Sequence, residues 1–482
     1  MSFQLLQPIW VDLFVAGSAL LLLLVDMYLP DAARKHLSTL TALFLAVALY
    51  LTTQLDGTGS IGSVYVGSAF SVLVKQILLF ATLLCVLGGK EWLSQTFTKK
   101  QGEYHFLVLM CLCGMMLLPG VRDLILLVVS FELMGIPLYI LAALSREEST
   151  PEKRQVVLRR GAEAGLKLYL VGGASTTVTM FGLSLLIGSA GSTQLEALLA
   201  APPSALSMMG MLLVLGGMGF KIGAVPFHMW VPDTYQGAMT PMVTFLSVAP
   251  KAAGLVTLTV LSQKAAPQAL WQPAILGLSL LTMTVGNLMA LPQKNVKRLL
   301  GYSGVAQIGY MLLALGVGNA YALGMLLFYL CGYAVTNIGA FLVVHAVADQ
   351  EGDDTLDGFA GLAKRSPWLG LSLLMFLLSL AGIPFVIGFW AKLYVFMATY
   401  QAGLGWMVVV GAVLAVVGLF YYLQVARAAY MAKPTRSEPV QVEPWLAVTI
   451  VVCLLLVVGM GVYPAPILKA CQSAADALIS AR

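Results

Sequence analysis

The chain of 482 residues is too apolar for a soluble protein. Hydrophobic residues make up 59% and charged residues 10%, against about 45–50% and about 25% in soluble domains. The net charge of +5 adds little, because in a membrane protein the position of each basic residue matters more than the sum. The composition excludes a soluble enzyme, a disordered protein and a nucleic-acid-binding domain, and it predicts an all-α integral membrane protein covered largely by lipid.

Fourteen stretches are apolar and long enough to cross a bilayer, which takes about 20 residues. They cover residues 9–29, 37–55, 65–88, 104–119, 121–144, 162–188, 207–235, 240–262, 270–291, 297–316, 321–347, 367–398, 404–431 and 444–463. Residues 1–8 carry no positive charge and the first stretch is long enough to span, so we expect no cleavable signal. Short connections leave no room for a soluble domain.

Basic residues orient these segments. Of the 27 Lys and Arg residues, eighteen lie in or beside loops that follow odd-numbered segments. Four lie on the opposite side: Arg122, Lys264, Lys469 and Arg482. Because short inner loops are enriched in Lys and Arg, segment one is predicted to run inward. Both termini are then on the outer, periplasmic side of a bacterial plasma membrane.

The remaining five basic residues lie inside predicted spans, and all are lysines: Lys75, Lys167, Lys221, Lys251 and Lys392. A desolvated lysine can lose its proton, whereas an arginine keeps it, so lysine suits a proton relay. An ionisable group at the bilayer centre costs about 3 kcal/mol. We therefore expect Glu132, Lys221 and Lys251, near the middles of segments five, seven and eight, to be functional. The alternative is a buried ion pair that only fixes helix register.

Four other polar residues are secondary candidates for the relay. Lys167 lies near a segment end and could extend to the interface. His228 lies beside a proline in segment seven, and Gln307 and His345 lie inside segments ten and eleven. Each of these could pass a proton or hold a water. The alternative for a histidine is a structural role, in which the buried ring only forms hydrogen bonds with its neighbours.

Other groups are not expected to carry chemistry. Lys75, Asp12 and Asp26 lie near segment ends and are predicted to be interfacial. The scattered cysteines are expected to be packing residues, because no pattern of metal ligands accompanies them. The chain lacks an ATP-binding motif, a dinucleotide fingerprint and ligand sets for iron–sulfur clusters or haem. We therefore expect no metal, no cofactor and no redox chemistry in this chain.

Proline interrupts two segments, at residues 225–227 (Val-Pro-Phe) and 383–385 (Ile-Pro-Phe). Proline removes a helical hydrogen bond and clashes with the preceding turn. The two breaks are five segments apart, so the predicted topology gives segments seven and twelve opposite directions. This is typical of an inverted repeat with a transport path near the breaks. Lys392, past the middle of segment twelve, is expected ~13 Å toward the outside at about 1.5 Å per residue, or less if the helix is broken.

Several motifs resemble those of the antiporter-like membrane subunits of respiratory complex I. They are Phe131-Glu-Leu, Gly219-Phe-Lys-Ile-Gly-Ala-Val-Pro-Phe-His-Met-Trp-Val-Pro-Asp-Thr-Tyr-Gln-Gly-Ala, Asn295-Val-Lys-Arg-Leu-Leu-Gly-Tyr-Ser and Gly382-Ile-Pro-Phe-Val-Ile-Gly-Phe-Trp-Ala-Lys. The resemblance implies fourteen helices with two inverted five-helix repeats. The expected units are N-terminal helices 1–3 at 1–103, the first repeat at 104–262, the second at 263–431 and C-terminal helix 14 at 432–482.

The resemblance also implies a proton path through Glu132, Lys221, Lys251 and Lys392. The length and the lysine in segment twelve are similar to the N-type subunits, which work beside an M-type subunit and small membrane subunits. Such a subunit would pump protons within an NADH:quinone oxidoreductase, driven by redox chemistry in other subunits. Gln307 stands where many members have histidine. The alternatives are a subunit of an Mrp-type sodium/proton antiporter or of a membrane-bound hydrogenase-type complex, and a membrane scaffold with static charges.

Overall fold

The computed structural model describes residues 3–55, 57–97, 100–145, 151–264, 268–352, 354–434 and 438–480. Its helices are α1 (Trp10–Tyr28), α2 (Asp31–Arg34), α3 (Leu37–Thr52), α4 (Ala69–Gly88), α5 (Lys90–Thr96), α6 (Gln101–Leu117), α7 (Leu124–Ala143), α8 (Pro151–Ala190), α9 (Leu195–Ala200), α10 (Ala205–Ile222), α11 (Trp230–Gly237), α12 (Thr240–Lys264), α13 (Gln268–Ala290), α14 (Val296–Val317), α15 (Ala320–Glu351), α16 (Leu362–Arg365), α17 (Pro367–Ala381), α18 (Ile387–Gln401), α19 (Gly405–Met431), α20 (Pro444–Val462) and α21 (Ala465–Ser480). The 3-10 helices Phe3–Ile9 and Leu118–Gly120 and a hairpin of β1 (Ser60–Ile61) and β2 (Tyr65–Val66) complete the described part.

The predicted membrane-spanning segments are confirmed as helices. Thirteen helices in the described part of the chain are long and apolar enough to cross a membrane. Segment twelve consists of α17 and α18, with 15 residues each, and segment seven is divided into α10 and α11. The basic residues Lys99, Arg146, Arg436 and Arg482, which contribute to the topology prediction, lie outside the described residues.

Both helix breaks begin at a glycine that precedes the proline. The helix α10 ends because Gly223 has a φ of 73°, and α17 ends because Gly382 has a φ of 87°. This left-handed conformation is easy for glycine and commonly ends a helix. Pro226 and Pro384 follow within three residues and lack the N–H that a continuing helix would use. The interruptions predicted in segments seven and twelve are therefore confirmed.

Three helices form the centre of the molecule and are almost entirely shielded by the others. In the most apolar stretch of α12, 100% of the residues are buried, and in those of α14 and α15 the share is 94% each. In the corresponding stretches of α8 and α19, only 33% of the residues are buried, so their exposed apolar faces suit contact with lipid. Charged and polar residues on α12, α14 and α15 are thus held inside protein, where they require protein or water partners.

The charges near the N-terminus form ion pairs inside the protein. Asp12 is 2% exposed and forms an ion pair with Lys75, whose Nζ also donates to the carbonyl oxygen of Pro8 at 2.9 Å. Asp26 is also buried and pairs with Arg34 at 3.1 Å. Because α1 packs along α6 and α3, these residues face neighbouring helices, and their depth relative to the membrane interface stays a prediction.

The C-terminal region contains one helix more than predicted. After α20, the amphipathic helix α21 follows and packs against α15 and α4. Its buried face consists of Cys471, Ala474, Ala475 and Leu478. With only 16 residues and a polar outer face, α21 is shorter than a membrane span. Because α21 is short and partly polar, the criterion of about 20 apolar residues does not detect it.

Candidate functional site

Lys251 lies in the middle of α12, enclosed by the central helices. Its side chain is 1% exposed, and its Nζ meets no hydrogen-bond partner among the described residues. The Nζ lies 5.2 Å from the centre of the Tyr235 ring, on its face. Burial without a hydrogen-bond acceptor disfavours the charged form of a lysine. A group in this environment is suited to take up and release a proton.

The helix α15 carries a row of side chains at intervals of four residues, so that each lies about 40° around the helix from the one before and the row winds along the helix. The row consists of Tyr329, Tyr333, Asn337, Phe341 and His345. Its middle members contact α12 one turn before Lys251. The Tyr333 hydroxyl donates to the Ser247 carbonyl oxygen at 3.1 Å, and Asn337 Nδ2 donates to Ser247 Oγ at 2.7 Å. The row therefore passes directly beside the buried lysine.

Gln307, on α14, joins this row to segment twelve. Its Oε1 accepts a hydrogen bond from the Tyr329 hydroxyl. Its Nε2 donates to the Leu380 carbonyl oxygen at 2.9 Å and to the Tyr422 hydroxyl at 3.0 Å. An amide does not titrate, so Gln307 is a fixed bridge between hydroxyl groups and not a site that stores a proton.

Lys392 occupies the break in segment twelve. Its Nζ donates to the carbonyl oxygens of Leu380 and Ala381, both at 2.8 Å. These carbonyls belong to the last turn of α17, where they have no partner within the helix and where a positive charge is favourable. Lys392 and Gln307 thus share the Leu380 oxygen as acceptor.

The position of the Lys392 ammonium is nearer the middle of segment twelve than an unbroken helix would give. Its backbone lies in α18, beyond the break, but its ammonium returns to the end of α17. One physical reason is that helical side chains point toward the N-terminus of their own helix. The ammonium therefore lies at the break itself, whereas the ~13 Å of an unbroken helix counts only backbone rise.

Glu132 and Lys221 lie near each other without direct contact. Both line a small pocket between α7, α8 and α10, together with Thr176. The Thr176 hydroxyl donates to Glu132 Oε1 at 3.0 Å, and Lys221 Nζ donates to the Tyr139 hydroxyl at 3.2 Å. Among the described residues, no ion pair within 4.0 Å joins the two charges. Hydroxyl groups therefore occupy the positions that a direct Glu–Lys pair would use.

Lys167 belongs to an ion network near the surface. Its side chain is 43% exposed and pairs with Glu163 at 2.7 Å and Asp233 at 2.9 Å. Asp233 also accepts from Arg298 of α14. The network connects α8, α11 and α14, and exposed pairs of this kind contribute little to stability. The structure does not bring Lys167 together with Lys221, Lys251 or Lys392.

His228 and His345 lie in different surroundings. His228 follows the break in segment seven and is half-buried, and its neighbours Phe227 and Met229 are exposed. His345 is buried near the end of α15, with its ring 5.4 Å from that of Trp92. Of the two, only His345 lies on α15, the helix that also carries the residues beside Lys251.

A polar cavity opens beside His345. A cavity of about 530 Å³ is lined by Arg160, Lys167, Asp233, Lys294 and Asp354, among others. It adjoins a cavity of about 180 Å³, with Arg160 and Asp354 again in the wall, that reaches His345, Lys297 and Asp349. Both lie between loops that follow odd-numbered segments, on the side predicted to be inner. Phe341 and Asn337 then separate His345 from the level of Lys251 along α15.

Sequence reasoning missed several polar residues of this region. Tyr139, Thr176, Ser247, Tyr333 and Asn337 are not charged, so a search for intramembrane charges passed over them. The four-residue spacing on segment eleven is a signal that could have found Tyr333 and Asn337. Within the described ranges, no cluster of three or more His, Cys, Asp or Glu residues is placed to hold a metal ion.

Comparisons with known proteins identify the family of the chain. The family described as NADH:quinone oxidoreductase/Mrp antiporter, TM, matches residues 121–418. NADH-quinone oxidoreductase subunit N of Moorella thermoacetica is 35% identical over 470 residues, which cover 96% of each chain. A chain in respiratory complex I from Thermus thermophilus with bound Aureothin is 32% identical, with a TM-score of 0.80 over 96% of this chain and 99% of that chain.

A chain of the Mrp complex from Dietzia sp. DQ12-45-1b has the same fold, with a TM-score of 0.87 over 99% of this chain and 98% of that chain. It is 21% identical, so this likeness concerns the fold alone. The chain therefore belongs to the antiporter-like transmembrane family and, within it, to the family of NADH-quinone oxidoreductase N subunits.

Proposed function

We propose that this chain moves protons as the N-type subunit in the membrane arm of a complex I-type NADH:quinone oxidoreductase. The observation that carries the proposal is a set of hydrogen-bonding side chains that lies between two buried lysines, Lys251 and Lys392, inside the protein. Its partners are a neighbouring M-type subunit, small membrane subunits and lipid. The chain itself performs no redox chemistry and binds no cofactor, and electron transfer in other subunits supplies the energy.

The entrance of the path is the polar cavity near the basic loops. Both acidic and basic side chains line it, which suits water and mobile protons better than it suits a single bound ion. His345 forms part of the wall, at the inner end of the row on α15. From His345 the path leads past Phe341 to Asn337 and then to Lys251. Phe341 is the one member of the row without a hydrogen-bonding group, so it limits the passage of protons between the entrance and the centre.

The exit of the path leads from Lys251 through Gln307 to Lys392. Tyr329 and Tyr422 contact Gln307, and Gln307 shares the Leu380 oxygen with Lys392. Transfer along hydroxyl groups and waters needs neither a metal nor a titrating histidine in segment ten. Gln307 therefore takes part as a bridge that orients its neighbours.

Glu132 and Lys221 adjust the charge near the centre. Lys221 precedes the break in segment seven, and Glu132 lies on the adjacent helix α7. An opposite charge nearby favours the ionised form of each group, whereas burial opposes it. A movement that changes their separation would shift the proton of Lys221 toward or away from Lys251. Lys167 and its ion network line the entrance cavity, whereas His228 has no step in this path.

The chain is expected to lie in a bacterial plasma membrane with both termini outside. The charge split and the left-handed glycines at both breaks support this topology and the two inverted repeats at 104–262 and 263–431. Single cysteines introduced at 155–160 in a chain without its native cysteines test it in intact cells. They should react only with a reagent that crosses the membrane. Labelling by an impermeant reagent added outside would contradict the topology.

The function is tested with Lys251→Ala in the assembled complex, reconstituted into vesicles. NADH-driven proton translocation should fall by about 100-fold, the usual contribution of a positioned proton-transfer group. Lys469→Ala is the control, because it removes an exposed lysine on α21 that lines neither cavity of the path and should leave translocation unchanged. Co-purification with other complex I subunits supports the assignment to this complex. Unchanged translocation in assembled Lys251→Ala would contradict the proposal.

The Mrp-type alternative makes a different prediction. A sodium/proton antiporter subunit would exchange ions without NADH oxidation and would co-purify with other antiporter subunits. The higher identity to N subunits, 35% against 21% for the Mrp chain, favours the complex I assignment. Sodium-driven proton movement in vesicles without NADH would favour the alternative.

A further inference from the structure

Gly304, on α14, lies opposite both Lys251 and Tyr333. A Cβ atom at this position would lie 2.8 Å from Lys251 Nζ and 3.0 Å from Tyr333 Oη. Both distances are shorter than ordinary van der Waals contacts. The absence of a side chain at Gly304 therefore leaves a space into which an ammonium from α12 and a hydroxyl from α15 both point.

The surroundings of this space are polar. Lys251 Nζ, Tyr235 Oη and Asn337 Oδ1 are all buried and meet no hydrogen-bond partner among the described residues. Buried polar groups in proteins are normally paired, so three such atoms near one another indicate a place where hydrogen bonds are made and exchanged. The wall of this space also includes Gly223, where a Cβ would lie 4.0 Å from Lys251 Cε.

Tyr333 is better placed than Tyr235 to exchange a proton with Lys251. The ammonium lies over the ring face of Tyr235, at 5.2 Å from its centre, and a ring face cannot accept a proton. The Tyr333 hydroxyl is fixed by its hydrogen bond to the Ser247 carbonyl oxygen at 3.1 Å. A tyrosine oxygen can accept a hydrogen bond while it donates one. Its free acceptor position is therefore available to Lys251.

We propose that Tyr333 is the first group to exchange a proton with Lys251, across the space that Gly304 keeps free. This inference rests on the proposed proton path and adds two residues to it. In the outward step, an N–H bond of the Lys251 ammonium breaks as an O–H bond to the Tyr333 oxygen forms. For this step the hydroxyl turns away from the Ser247 carbonyl oxygen, and it releases its original proton to a water molecule on the Tyr329 side as the new O–H bond forms. Lys251 becomes neutral, Tyr333 remains a neutral phenol, and one positive charge has moved toward Gln307.

Two substitutions test the inference in the assembled complex in vesicles. Tyr333→Phe keeps the ring and removes the hydroxyl. Gly304→Ala places a methyl group against the end of the flexible Lys251 side chain, which can move without disturbing the fold. Each should slow NADH-driven proton translocation by about 100-fold, through loss of a proton-transfer group or displacement of the reacting group by about 1 Å. Each should also increase the solvent deuterium isotope effect, because proton transfer becomes rate-limiting, while the KM for quinone stays unchanged.

Gly301→Ala is the matched control. Gly301 lies about one turn from Gly304 on the same helix, and a Cβ there would meet only ordinary contacts, the nearest at 3.4 Å. This variant should translocate protons at the same rate as the wild-type complex. An equal loss in Gly301→Ala would show that any added methyl group on α14 is harmful and would overturn the assignment to Gly304.

Lys251→Ala distinguishes a failure of the proposed function from a failure of the role proposed for Tyr333. If Lys251→Ala translocates normally, the proposed function itself is wrong. If Lys251→Ala abolishes translocation while Tyr333→Phe retains full rate and an unchanged isotope effect, only the role of Tyr333 is wrong. Should Tyr333→Phe not assemble, an assembled Gly304→Ala with full translocation would equally overturn the inference.

Discussion

The two interrupted segments are held together in different ways. In segment twelve, Lys392 of the second half-helix donates to two carbonyl oxygens at the end of the first, at 2.8 Å each. In segment seven, the neutral indole of Trp230 performs this task and donates to the Phe220 carbonyl oxygen at 3.1 Å. Lys221 belongs to the first half of its segment and turns away to Tyr139 on another helix.

This difference links charge to structure in segment twelve only. Hydrogen bonds from an ammonium are about twice as strong as neutral ones, so loss of the Lys392 proton weakens the contact between α17 and α18. Loss of the Lys221 proton leaves the Trp230 contact intact. Segment twelve therefore couples proton occupancy to the geometry of its break, whereas segment seven holds its break constant while its charge changes.

The largest effect is expected for Lys392→Ala. The substitution removes both the proton carrier and the donors for the α17 carbonyls, so coupled turnover should fall by about 100-fold in the assembled complex. NADH oxidation and proton uptake by vesicles measure this directly. Trp230→Phe is the control from segment seven. It should cost about 1 kcal/mol of stability, seen as a lower melting temperature, and leave the number of protons per electron unchanged.

The opposite result would contradict the proposed difference between segments seven and twelve. If Trp230→Phe lowered the proton stoichiometry and Lys392→Ala affected only stability, the functional break would be the one in segment seven.

A somewhat smaller loss is expected at Glu132 and Lys221. Glu132→Gln should cut coupled activity severely and Glu132→Asp less so, because the shorter acid keeps its charge beside Thr176. Removing both charges should cost less than the sum of the single losses if the residues act as one unit. The measurement is a double-mutant cycle on coupled turnover, with assembly confirmed for each variant. Strictly additive losses would show that Glu132 and Lys221 do not interact across the hydroxyl groups between them.

The smallest effects are expected at the two glycines that end α10 and α17. Alanine at either position must adopt a left-handed conformation, at a cost of about 1–2 kcal/mol. A Cβ at Gly382 would also lie 2.8 Å from Lys392 Cδ, whereas at Gly223 it would lie 2.8 Å from Val231 Cγ2. Both variants should therefore melt at lower temperature, but only Gly382→Ala should also slow proton translocation. Equal translocation rates in the two variants would remove the distinction between the breaks.

The sequence was sufficient to predict the spans and both breaks, since these depend on composition and local backbone preference, whereas the roles of the four charged candidates stay predictions. It did not predict the position of the Lys392 ammonium, because a count of backbone rise ignores the direction of the side chain. The separation of Glu132 from Lys221 by hydroxyl groups depends on how α7, α8 and α10 pack. The contacts of Tyr333 and Gln307 arise between helices distant in sequence, so no local pattern specifies them.

The central claim, that a proton passes from Lys251 to Lys392 and leaves from there, is tested most directly by Lys392→Arg. Arginine keeps the positive charge and can still donate to the Leu380 and Ala381 carbonyls, but it does not release its proton. The measurement is NADH-driven proton translocation by the assembled complex in vesicles, beside Lys392→Ala. The account predicts that translocation falls as far in Lys392→Arg as in Lys392→Ala, although the break remains held. Translocation at the unchanged rate in Lys392→Arg would contradict it.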